Sequence, residues 1–97
     1  MIRVRFEENR LTVCGHAGYA ARGEDIVCAA VSALVYALIS DLQERGLVRE
    51  LVIRPGYVML CAGGACAAEF ALVRCGLEQL QARYGEFVSV ETTVHGS

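Results

Sequence analysis

The sequence predicts an α+β two-layer sandwich, a mostly antiparallel five-stranded sheet with two helices in the order β-β-α-β-β-α-β. Three observations carry this. Short stretches with a two-residue apolar period alternate with two longer stretches of helical character. Turn residues mark the boundaries, at Gly46, Pro55-Gly56, Gly63-Gly64 and Gly85. The 97 residues, 55% of them hydrophobic, are enough for one core and not for two, so a single domain over 1–97 is expected.

Ile2 to Glu7 alternates apolar Ile2, Val4 and Phe6 with charged Arg3, Arg5 and Glu7, the pattern of a half-buried strand. Glu8-Asn9-Arg10 is a polar turn, and Leu11 to His16 alternates again, so the pair predicts a hairpin. If the alternation holds, Cys14 and His16 share a face. Ala17 to Glu24, with Gly18 and Gly23 and few large apolar groups, reads as a loop. Asp25 is a good N-cap for a helix over Ile26 to Arg45 that stops before Gly46. That helix is apolar almost all round through Leu38, so burial on most sides is expected. Leu51–Arg54 and Tyr57–Ala62 read as strands joined at Pro55-Gly56. Cys66 to Tyr84 steps by three and four through Phe70, Val73, Leu77 and Leu80 as a second helix, and Phe87 to Val94 closes as a strand.

Composition narrows the function classes. A net charge of −2 gives no electrostatic case for nucleic-acid binding. The longest apolar run, Ile26 to Ser40, is shorter than a bilayer span, so no membrane partner is expected. The N-terminus alternates apolar and charged residues, unlike a secretory signal, so a cytoplasmic location is expected. Five cysteines are an odd number, cannot close a full disulfide framework, and are expected reduced there. Cys61 and Cys66 form no CxxC pair and have no His nearby, so neither metal nor cofactor is expected.

The stretch Gly15 to Ala33 carries the chemistry. With Asp25 as cap, Cys28 is the third helical residue, where unpaired amides and the positive helix end favour a thiolate. Those amides are also candidate donors to an oxyanion. His16 is the only His ahead of the C-terminal tail, and the eleven residues between it and Cys28 are enough to fold the imidazole back onto the thiol. A Cys–His pair is the general pattern of a covalent thiol nucleophile with its base. Asp25 is a candidate to orient that base, and Ser32, one turn after Cys28, a candidate for a hydrogen bond within the site. Each residue also has a plain reading. A free Cys in an apolar helix is most often a small buried hydrophobe, a strand-end His most often has no chemistry, and Asp25 is first of all a cap.

The same stretch resembles the signature of the bacterial ribosomal-processing cysteine protease family, often called Prp. Gly15-His16-Ala17, the late Gly23, Asp25-Ile26-Val27-Cys28-Ala29-Ala30 and Ser32 stand unbroken. The C-terminal part, GLEQLQARYGEFVSV, is similar to the family's second helix and last strand, with Gly85 where some members carry Pro. The resemblance implies a cysteine endopeptidase with His16 and Cys28 as its dyad. Its partner would be the N-terminal extension of a large-subunit ribosomal protein, the twenty-seventh. It also implies a homodimer, and a substrate loop containing Gly18, Tyr19 and Gly23. Two other classes remain open on the residues alone. One is a non-catalytic ribosome-associated binding module of the same fold. The other is a redox- or metal-sensing thiol protein using Cys14, His16 and Cys28.

Overall fold

The structure, a computed structural model, describes residues 1–16, 18, 20 and 25–93. Its elements are β1 (Ile2–Glu7), β2 (Arg10–Cys14), α1 (Ile26–Glu44), β3 (Val48–Arg54), β4 (Tyr57–Ala62), α2 (Ala67–Arg83) and β5 (Val88–Thr92). The element order is the one the periodicity predicts. The strands form one five-stranded sheet in the order β3-β4-β2-β1-β5. β1–β2, β2–β4 and β3–β4 are antiparallel and β1–β5 is parallel, so the sheet is mixed.

This order explains why both helices share a face. The chain leaves β2 through α1 to the parallel β3, stepping over β4. It leaves β4 through α2 to the parallel β5, stepping over β2 and β1 in the opposite direction. Because β2 and β4 run in opposite senses, two right-handed crossovers put both helices on the same side. The side chains agree. Ile2, Val4, Phe6, Leu11, Val13, Leu60 and Val88 on the sheet form one buried cluster with Val27, Val31, Val35, Leu38, Leu42, Phe70, Val73 and Leu77 on the helices. The helices approach closely at Gly76, where a Cβ would meet Leu34 at 3.0 Å.

Several boundaries move, each for a local reason. β2 ends at Cys14 rather than His16, because Gly15 has φ +96° and breaks the extended backbone. The alternation that would put Cys14 and His16 on one face therefore stops at Cys14. β3 begins at Val48, three residues before the expected Leu51, across an irregular register between Val48 and Glu50 that masks the two-residue period. The first hairpin closes with two residues, Asn9 taking φ +57° in place of a turn glycine. β5 is described over Val88–Thr92, and Val94 lies outside the described residues.

The expected burial of α1 is corrected. Its inner face, Val27, Val31, Val35, Leu38, Ile39 and Leu42, is buried. Its outer face is not: Ile26 is 54% and Tyr36 43% exposed, and Ala29, Ala33 and Ala37 are exposed with them. A two-layer sandwich has only a sheet and one neighbouring helix to cover it, so half of an all-apolar helix stays outside. The uncharged run Ile26–Ser40 is shorter than a bilayer span, yet α1 as a whole, Ile26–Glu44 with Asp41 and Glu44 included, is long and apolar enough to cross one by length and composition alone. Here the inner face is spent on the core.

At the far pole of the sheet, Arg45 ties the end of α1 to the start of α2. Its guanidinium pairs with Asp41 at 3.3 Å and with Glu69, and donates to the Ala65 carbonyl at 3.0 Å. Beside it the Cys66 thiol is buried and donates weakly to Asn9 Oδ1 at 3.7 Å. Burial first, and the Glu69 carboxylate second, push this thiol up from its ordinary range, against a smaller opposing pull from Arg45. The unfolded thiol, near 8.5, ionises before the folded one, so this contribution is complete below about pH 8.5 and is lost as pH rises through the folded pKa. Unfolding measurements across pH 7–11 are expected to show an alkaline fall in stability that is shallower in Cys66→Ala than in the parent.

Candidate active site

His16 and Cys28 lie at the same pole of the sheet. β2 ends there, α1 begins there, and the β3–β4 turn sits beside the end of β2. α1 runs from this pole to the opposite one, where Leu47 and the Val48–Ala62 pair begin β3.

His16 owes its placement to two glycines. Gly15 takes φ +96°, and a Cβ on it would lie 2.3 Å from the Met1 carbonyl oxygen, so no other residue fits without moving backbone. Its N–H donates to the Gly56 carbonyl at 2.9 Å, which latches the strand end onto the β3–β4 turn. The His16 ring then lies against Gly56, with Nε2 3.0 Å from the point where a Cβ would stand. His16 as a whole is exposed.

Cys28 is the third residue of α1, half-buried and packed against the core cluster. Asp25 is the N-cap, as expected. Its Oδ1 accepts from the Val27 amide at 3.0 Å and the Cys28 amide at 2.9 Å. The Ala29 amide donates to the Asp25 carbonyl at 3.1 Å. This corrects one expectation. The Val27 and Cys28 amides, candidates for an oxyanion, are engaged by the cap, so binding an oxyanion there requires Asp25 Oδ1 to give them up. The cap also places a carboxylate where the positive end of the helix lies. Asp25→Ala is expected to lower stability by about 1–2 kcal/mol, while Asp25→Asn, which keeps an acceptor, stays within about 0.5 kcal/mol. Thermal unfolding of the two variants separates the cap from the charge.

Ser32 is exposed, one turn beyond Cys28. Gly18 has φ +71° and is exposed, with no atom within 4 Å of a Cβ placed on it. Tyr19 and Gly23, and with them most of the expected substrate loop, lie outside the described residues. The sequence marks Gly56 only as a turn residue. Its contact with His16 joins positions forty residues apart and has no local signal. The five cysteines are free thiols, with Cys14, Cys28 and Cys61 half-buried, Cys66 buried and Cys75 exposed. Among the described residues no three His, Cys, Asp or Glu side chains gather as a metal-binding group.

The sequence profile of the family described as Cysteine protease Prp matches residues 1–89. The ribosomal processing cysteine protease Prp of Mycoplasma pneumoniae is 44% identical over 39 residues, 40% of this chain and 39% of that protein. The match thus covers well under half the length of that relative. Among solved structures, the ribosomal processing protease Prp from S. aureus, in complex with a covalently linked product peptide, superposes with a TM-score of 0.85. It is 19% identical and the alignment covers 96% of this chain and 100% of that one. SMU.848 from Streptococcus mutans superposes with a TM-score of 0.79 at 25% identity, over 98% of this chain and 96% of that one. At 19% identity the S. aureus likeness speaks for the fold.

Proposed function

The chain belongs to the Prp cysteine protease family, and from that premise we propose that it is a cysteine endopeptidase with Cys28 as nucleophile and His16 as its base. Its substrate is the N-terminal extension of a large-subunit ribosomal protein, the twenty-seventh, removed as the ribosome matures. The observation that carries this reading is the placement of the two residues. A thiol on the first turn of α1 and an imidazole latched to the end of β2 stand at one pole of the sheet, at the ends of the segment that bears the family signature. Related structures add support, since the S. aureus Prp has been solved with a substrate peptide as well as with a product peptide.

The chemistry runs in two halves. His16 takes the Cys28 proton, and the thiolate attacks the scissile carbonyl carbon, forming the C–S bond while the carbonyl oxygen takes up the negative charge. The tetrahedral species collapses, the C–N bond breaks, and the imidazolium gives its proton to the leaving amine. Water, deprotonated by His16, then attacks the thioester, and Cys28 leaves as the thiol. Binding the extension across the Ala17–Glu24 segment restricts cleavage to a flexible peptide end.

The protein works in the cytoplasm as a homodimer. The outer face of α1 fits a second copy, because Ile26, Ala29, Ala33, Tyr36 and Ala37 are exposed and no charge interrupts Ile26 to Ser40. An uncharged strip of small residues around one Tyr can meet its own copy across a two-fold axis.

The test uses the purified chain and the precursor ribosomal protein of its own organism. Mass spectrometry should show one N-terminal fragment released and the mature chain left whole. An uncut precursor, with Cys28 no faster than exposed Cys75 toward iodoacetamide, would favour the non-catalytic binding module instead.

A further inference from the structure

We propose that Gly56, in the β3–β4 turn, is a positioning residue for the reaction: its missing side chain is the slot that seats the His16 imidazole. This rests on the reading of His16 as the base.

Three observations at the β3–β4 turn converge on the contact. A Cβ on Gly56 would stand 3.0 Å from His16 Nε2 and 3.6 Å from Cδ2 and Cε1. The Gly56 carbonyl accepts from the Gly15 amide at 2.9 Å, so the turn holds the backbone that leads into His16 as well as its ring. The turn is itself stiff. Pro55 followed by Gly56 at φ +70° is the type II pattern, and its flanking residues Arg54 and Tyr57 are paired partners in the β3–β4 register. The Arg54 guanidinium also lies over the Tyr57 ring, 5.0 Å from its centre.

An exposed imidazole at the end of a strand samples several rotamers, and each one lost costs entropy. A base acts only from within hydrogen-bond reach of the proton it takes. Seating the ring against a strand-anchored turn meets that cost during folding instead of during the reaction. Displacing it by a few tenths of an ångström spoils the geometry, and a full ångström of misplacement costs on the order of 100-fold in rate. About tenfold is the expected loss here.

The fold supplies its own control. Gly46 has φ +69°, nearly the same as Gly56, and nothing within 4 Å of a Cβ. Gly46→Ala and Gly56→Ala therefore carry the same positive-φ strain, and only Gly56→Ala touches His16. Gly56→Asn is the second variant, because Asn tolerates positive φ yet still brings a Cβ. Both Gly56 variants are expected to lower kcat about tenfold relative to Gly46→Ala. KM should stay within about twofold, the acid limb of the kcat–pH profile should move, and the His16 ring resonances should shift in NMR spectra. His16→Ala, run in parallel, tests the reading beneath. If His16→Ala is inactive while the Gly56 variants match Gly46→Ala in kcat and in ring resonances, the positioning role is overturned and the dyad stands. If His16→Ala cleaves at the parent rate, the dyad is overturned and the positioning role goes with it.

Discussion

Cys28→Ala is expected to fold as the parent does, with Tm within a few degrees, and to leave the precursor peptide uncut. The two halves of this result have separate causes. The Asp25 cap accepts from the backbone amide of Cys28, which the substitution keeps, so the helix start keeps that hydrogen bond. Ala is the best helix former, and Cys28 is only half-buried, so little stability changes. The rate behaves otherwise. Without the sulfur no C–S bond forms, and the acyl-enzyme route is closed. A loss of at least about 10³-fold is expected in kcat/KM, the scale seen when a covalent nucleophile is removed. Cys75→Ala, altering an exposed thiol on α2, is expected to leave the rate unchanged. Cleavage followed by mass spectrometry, with circular dichroism on the same samples, reads both halves. Parent-like cleavage by Cys28→Ala would remove Cys28 as the nucleophile.

What the sequence made legible follows the range of the forces involved. The seven elements and the Asp25 cap are local: a two-residue or three-to-four-residue period, a carboxylate beside free amides, a glycine after the last turn. These are readable within a few residues, and the structure has them in the expected order. The strand order β3-β4-β2-β1-β5 is not local, and neither is the parallel pairing of β5 with β1. Burial around α1 failed for the same reason. Its residues are apolar on every side, so composition could not say that the sheet and α2 would cover only one face. At the site, the residue types and their spacing were plain, but how His16 is held was not. Gly15 reads as one more strand position, whereas its φ of +96° makes it the point where the strand stops, and the Met1 carbonyl leaves no room there for a Cβ. Gly56 read as a turn residue, whereas it lies under the imidazole.

Leu11→Ala is expected to have the largest effect on stability and little on chemistry. Leu11 has no exposed surface, and β2 is the middle strand of the five. Its register partners are Phe6 on β1 and Leu60 on β4, both buried on the same inner face. Truncation there removes apolar transfer energy and leaves a cavity that strands tied on both sides cannot close. Such a change costs about 2–5 kcal/mol, a large part of the roughly 5–15 kcal/mol that holds a domain together. At about 4–8 °C per kcal/mol for a chain of this size, a mid-range loss of about 3 kcal/mol lowers Tm by about 10–25 °C. Denaturant unfolding should show a lower midpoint at an unchanged slope, because the surface exposed on unfolding is the same. Leu72→Ala, altering a side chain 74% exposed on α2, is the contrast and should stay within about 0.5 kcal/mol. Well below its lowered Tm, Leu11→Ala should still cleave within a few-fold of the parent rate. The latch that seats His16 runs through Gly15, Gly56 and Met1, and Cys28 rides on α1, so neither depends on the Leu11 side chain. A collapse of activity at a temperature where Leu11→Ala remains folded would mean that the core of β2, and not the glycine latch alone, sets the position of His16.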